Sequence, residues 1–172
     1  MVDRRMGGSL SPSFAVWLQA CGGGGGPADQ EAVNEKQIRA VLEIWDSRDF
    51  SQIDSIFAED GVFEDAAEQS VHRGREAIKQ LLREVESWAP DTRIEARSFF
   101  VAGNRGAAEW IWSGTQTGEI PGLMPATGKP FSIHGVTLFE FENGMIRRST
   151  DYYNAASFLQ QLGAELELPT AG

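Results

Sequence analysis

Apolar residues recur at helical spacing in three stretches of the N-terminal half. Between Gln30 and Asp46, Ile38, Val41, Leu42 and Trp45 fall at i, i+3, i+4 and i+7, one stripe of a helix. Arg48-Asp49 breaks that pattern. A shorter helix follows with Ile53, Ile56 and Phe57 on one side, ending at Gly61. A third spans Gly74 to Trp88, where Ile78, Leu81, Leu82, Val85 and Trp88 repeat the stripe and Pro90 stops it. Between the last two, Gly61 to Asp65 (GVFED) reads as a short strand.

After Pro90 the period changes to two. Four strands are predicted, at Arg93–Val101, Ala107–Thr117, Phe131–Glu142 and Met145–Tyr153. Ala102–Gly106 forms the first tight turn. Asn143-Gly144 is a strong hairpin signal, because both central residues of a type I′ turn need positive φ. The loop Gly118–Pro130 is rich in glycine and proline. A last helix runs from Ala155 to Leu162, with Asn154 as N-cap and Gly163 as stop. Helices first and an antiparallel meander after them predict an α+β domain. Its curved antiparallel sheet packs on three N-terminal helices, a cone with an internal pocket.

Composition narrows the function classes. The chain has 172 residues, 41% of them apolar, enough for one core without staples. A net charge of −10 disfavours a nucleic-acid partner, and no apolar run is long enough to span a bilayer. One cysteine and two histidines leave no evident metal site. Residues 1–27 form a separate leader, and residues 28–172 the domain. The leader has Arg4 and Arg5, a short apolar run from Phe14 to Ala20, then Cys21 and a glycine run. LQAC (Leu18 to Cys21) resembles a lipoprotein lipobox, with Cys21 as the lipidation site and the glycines as tether. An exported, lipid-anchored protein and a cytoplasmic one with a low-complexity leader both fit. A lipid anchor would be the only membrane contact.

With a two-residue turn at Asn143-Gly144, Glu140 pairs with Arg147, Val136 with Asp151 and His134 with Tyr153. His134 and Asp151 would then be diagonal neighbours on one face, roughly 7 Å apart. A carboxylate that orients an imidazole beside apolar walls is an acid/base unit. Asp151 and His134 are therefore the candidate catalytic pair; a strand-end carboxylate and a core histidine are the plainer readings. Asp65, Gln116 and Glu109 are further polar candidates near the pocket. Trp110 and Trp112 share a strand face, where they either wall the pocket or seal a dimer interface. Trp45 and Tyr153 complete the candidate binding set, and His72 would cap the third helix.

Several segments resemble one family over residues 32–163. They are HRGREAI (His72 to Ile78), GTQTGEIPGLMPATGKP (Gly114 to Pro130) and FEFENGMIRRSTDYYN (Phe139 to Asn154). Together they look like the SnoaL-like polyketide cyclases of the nuclear transport factor 2-like superfamily. The resemblance implies an aldol ring closure with no metal or organic cofactor. Its aspartate acid/base and assisting histidine fall at Asp151 and His134. It also implies a homodimer. Many relatives carry His where this chain has Gln116, which weakens proton shuttling there and leaves a binding role.

Three readings follow. The first is a cyclase or isomerase acting on an apolar carbonyl substrate. The second is a non-catalytic module binding an apolar small ligand, lipid-anchored or not. The third, epoxide hydrolysis, would draw on Asp65, Arg93, Arg148 and Asp151, although their spacing matches no Asp–Arg–Asp set.

Overall fold

The computed structural model describes residues 26–165. Helix α1 (Pro27–Ser47) starts with Pro27 in its first turn, and Asp29 Oδ2 accepts from the Gly26 N–H at 2.9 Å. It buries Ile38 and Leu42 as the stripe requires, with Ile44 added at its C-terminal end. After a 3₁₀ turn (Phe50–Gln52), helix α2 covers only Ile53–Ile56. The chain turns extended at Phe57, four residues before Gly61. Phe57, Ala58, Glu59 and Asp60 therefore belong to strand β1 (Phe57–Asp65) rather than to the expected helix.

Strand β2 (Ser70–Arg73) is an element the hydrophobic pattern does not announce, because only Val71 in it is strongly apolar. It contains His72, which does not cap helix α3 (Arg75–Trp88). The N-cap is Gly74, at φ 81°, with no side-chain cap. Strands β3 (Arg93–Ala102), β4 (Arg105–Thr115), β5 (Pro130–Glu142) and β6 (Met145–Tyr153) follow, then helix α4 (Ala155–Leu162). Asn143 and Gly144 have φ of 52° and 75°, as the β5–β6 hairpin demands. The Asn154 side chain caps α4 through Ser157 N at 2.9 Å.

The six strands form one sheet in the order β2-β1-β6-β5-β4-β3. The meander β3 to β6 is antiparallel, and β1 joins β6 in parallel, so the sheet is curved and mixed. Irregularities in the β1–β6, β3–β4 and β5–β6 ladders bend it. The core lies between the sheet's inner face and the helices. It is built from Ile38, Ile53, Ile56, Phe57, Ile146 and Leu162, each at most 1% exposed. No helix among the described residues is long and apolar enough to cross a membrane.

The β5–β6 hairpin departs from the expected register in a way that decides the site. Phe141 pairs with Ile146, but Glu140 pairs with Arg148. Arg147 is the extra residue of a bulge, bonded outward to Asp60 O at 2.8 Å. Glu140 accordingly makes its ion pair with Arg105, at 3.2 Å, rather than with Arg147. Beyond the bulge every pair shifts by one. Asp151 faces Thr137, Tyr152 faces Val136, and Tyr153 faces Gly135. His134 therefore lies exposed on the outer face, while Asp151 and Tyr153 point to the inner one. The expected His134–Asp151 neighbourhood is corrected: the sheet separates the two.

Candidate functional site

Between the inner face and helices α1, α3 and α4 lies a cavity of about 100 Å³. One water needs roughly 10–15 Å³ of such space, so there is room for a small branched group. Trp45 of α1, Trp88 of α3, Trp110 and Trp112 of β4 and Phe158 of α4 wall it. Trp112 packs on Phe158 at 5.4 Å and on Phe131 at 4.8 Å between ring centroids. Ile120, from the long loop, closes one side.

The polar groups of the cavity come from strands β1, β2 (Ser70) and β6, the β1–β2 turn and helix α3. The parallel β1–β6 ladder sets Asp65 opposite Asp151. The β1–β2 turn brings Glu68 in, its N–H bonded to Asp65 Oδ1 at 2.8 Å. Helix α3 supplies Glu84. Tyr153 OH lies 3.0 Å from Asp65 Oδ2 and 3.3 Å from Glu68 Oε1. A phenol has one proton, so it can donate to only one of them at a time.

Asp151 is held by a two-step relay. Trp110 Nε1–H donates to Thr137 Oγ1 at 2.8 Å, and the Thr137 hydroxyl donates to Asp151 Oδ1 at 2.6 Å. An indole nitrogen only donates, which leaves the threonine proton free for the carboxylate. Removal from water pushes the Asp151 carboxyl up to about 7; the Thr137 bond opposes the rise and the charge of Asp65 adds to it. Burial and Asp65 also raise Glu68, and burial next to two carboxylates raises the Tyr153 phenol.

A half-buried carboxyl poised near neutrality in an aromatic cavity can take a proton from carbon or give one to oxygen. The SnoaL-like polyketide cyclase family model matches residues 35–162. The chain belongs to that family. Among solved structures, this SnoaL-like chain is similar to a candidate SnoaL-like polyketide cyclase from Jannaschia. That likeness has 16% identity and a TM-score of 0.72, covering 84% of this chain and all of that one. TsrD from Streptomyces laurentii gives 25% identity and a TM-score of 0.69, covering 78% of this chain and 97% of that one. A candidate polyketide cyclase from Xanthomonas campestris gives 22% identity and a TM-score of 0.68, covering 78% and 99%. The two likenesses under 25% identity show the nuclear transport factor 2-like fold alone. Among curated proteins there is no match.

Within this SnoaL-like domain, the candidates fall into two groups. Asp151, Tyr153, Asp65, Trp45, Trp110 and Trp112 meet at the cavity. Both tryptophans of β4 wall the cavity. His134, Gln116, Glu109, Arg93 and Arg148 do not line the cavity. Glu109 is exposed and accepts from Ser98 Oγ at 3.1 Å, and Arg148 pairs with Glu64 on the outer face. With no arginine in the cavity wall, the epoxide-hydrolase set is not assembled.

Gln116 is fully buried, and its amide is used up within its own loop. Nε2 donates to Gly118 O and Pro125 O, both at 3.0 Å; Oε1 accepts from Thr127 N at 3.1 Å and Thr127 Oγ1 at 2.5 Å. The expectation that it binds ligand is corrected to a staple of the proline loop. The binding-module reading thereby loses the support Gln116 lent it. Thr137, Glu68 and Glu84 were missed by sequence reasoning. The bulge hides Thr137; the Asp-x-x-Glu spacing of Asp65 and Glu68 was the available signal for Glu68. Cys21 lies outside the described residues.

Proposed function

We propose that the cavity is an acid/base site for a small apolar carbonyl compound, with Asp151 moving the proton. The observation that carries this is the Asp151 carboxyl, set in an aromatic cavity, bonded through one oxygen only and poised near neutral pH. Ionised Asp151 would take a proton from the carbon beside a carbonyl, leaving an enolate. The enolate carbon would attack a second carbonyl of the same molecule. A carbon–carbon bond forms, that carbonyl becomes an alkoxide, and the alkoxide recovers the proton from Asp151. The product is an isomer of the substrate, so no oxidant or co-reactant is needed. Family membership supports ring closure as the outcome. His134 has no part in the proposal, being exposed on the far side of the sheet.

The test works before any substrate has been identified. Apolar ketones and diketones are incubated with the full chain in deuterium oxide near pH 7, and deuterium uptake at carbon is read by mass spectrometry. The protein should accelerate uptake by at least one compound above buffer. Asp151→Asn should lower that rate by about 10²-fold or more, the ordinary reach of a positioned acid/base group. His134→Ala should leave it unchanged. Equal rates for Asp151→Asn and the unaltered protein would refute the reading.

A further inference from the structure

The acid/base reading leaves one charge unanswered. An enolate needs a positive or hydrogen-donating partner, and this cavity offers no positive one; the Ser70 hydroxyl and the indoles of Trp45 and Trp88 are its neutral donors. Asp65, Glu68, Glu84 and Asp151 all face it, and no lysine, arginine or histidine lines it. Both indole N–H groups of β4 are committed, Trp110 to Thr137 and Trp112 to Thr92. The Tyr153 proton is contested by two carboxylates. The second oxygen of Asp151, Oδ2, has no hydrogen-bond partner among the described residues.

The remaining wall is built of aromatic rings, whose negative faces attract cations and most of all desolvated ones. Trp45, Trp88, Trp110 and Trp112 give four indoles around one small volume. Among the described residues no group of three or more His, Cys, Asp or Glu is placed to hold a metal ion. The ligand these walls suit is therefore an organic cation rather than an inorganic one. A chain of net charge −10 would also draw cations toward it.

We infer that the cavity takes an apolar compound bearing its own positive charge, a protonated tertiary amine or a quaternary ammonium, and turns away carboxylates and phosphates. What then happens to the compound rests on the acid/base reading; its capture does not. In a substrate that carries both groups, the ammonium would supply the counter-charge that the protein withholds from the enolate.

Three probes of nearly one shape test this: choline, its neutral counterpart 3,3-dimethylbutan-1-ol, and the anion 3,3-dimethylbutanoate. Binding to the full chain is followed by tryptophan fluorescence and by calorimetry at low salt. Choline should bind about tenfold or more tightly than the alcohol, the difference expected for a cation against aromatic faces. The butanoate should show no saturable binding. The double variant Asp65→Asn, Glu68→Gln should bring choline to within about threefold of the alcohol while the alcohol still binds. An alcohol that binds as tightly as choline, a butanoate that binds, or no binding by any of the three would overturn the inference. The two proposals fail separately. Choline preference without deuterium exchange on any ketone would remove the catalytic reading alone. Exchange on neutral ketones without choline preference would remove this one alone.

Discussion

Replacing Asp151 with asparagine tests the site without a substrate, through stability. The carboxyl ionises near 3.8 when exposed and near 7 in the fold, chiefly because the fold takes it out of water. Between those two values the native state holds a proton that the unfolded chain has released. Stability therefore falls as pH rises through that window, by about 1.4 kcal/mol per pH unit, and is flat above it. From pH 5 to pH 7 this amounts to at most about 3 kcal/mol, since a cavity that admits water softens the penalty. Asparagine carries no charge at any pH, and its carbonyl can still accept from Thr137. The variant should thus be more stable than the parent at pH 8 by that amount, relative to their difference at pH 5. For a chain of this size the differential shift is roughly 6–12 °C in Tm. Thermal unfolding of both proteins at the two pH values gives the number, and titrations common to both cancel. If the two stability profiles run parallel, Asp151 is an ordinary solvated carboxylate and the case for a poised acid/base group fails with it.

Two further substitutions probe the supports of the site. A methyl group added at Gly135 would lie 2.1 Å from Trp110 Cη2 and 2.5 Å from two more ring atoms. Gly135→Ala should therefore lift the indole, break its bond to Thr137 and cost about 2–4 kcal/mol in urea unfolding, from overpacking and a lost buried hydrogen bond; an unaffected midpoint would mean that the ring has other room. Gln116→His puts a neutral imidazole, with one donor and one acceptor, where the amide fills four bonds. It should destabilise the domain by about 1–3 kcal/mol and slow no proton transfer beyond what that loss explains; unchanged stability would contradict the staple role.

The sequence carried most of the architecture because each long element announces itself by period and punctuation. Helix α3 repeats its stripe up to Pro90, and the β5–β6 turn needs the two positive-φ residues that Asn143-Gly144 supplies. Short elements did not announce themselves. Strand β2 has four residues and one strongly apolar side chain, and α2 gives way to β1 without a breaker at the boundary. Gln116 was misread for another reason. A buried glutamine in a proline loop and a ligand-binding glutamine look alike until the partners of its amide are known.

The larger loss came from a single residue. Strand faces alternate with a period of two, so one inserted residue turns every later side chain to the opposite face. Arg147 is that residue, and its fork is drawn outward to the Asp60 carbonyl and to the Asp60 and Glu142 carboxylates, at 2.8, 3.3 and 3.7 Å. Without the bulge, the same hairpin would set Asp151 opposite Val136, in the expected register. With it, Asp151 gains Thr137, while the parallel ladder to β1 sets Asp65 on its other side. Both neighbours act on the carboxyl's ionisation, the hydroxyl lowering it and the second carboxylate raising it. The bulge thus does more than reorient a side chain. It chooses the hydroxyl that tunes it, and it takes His134 out of reach, so the acid/base chemistry proposed for this cavity depends on Asp151 alone.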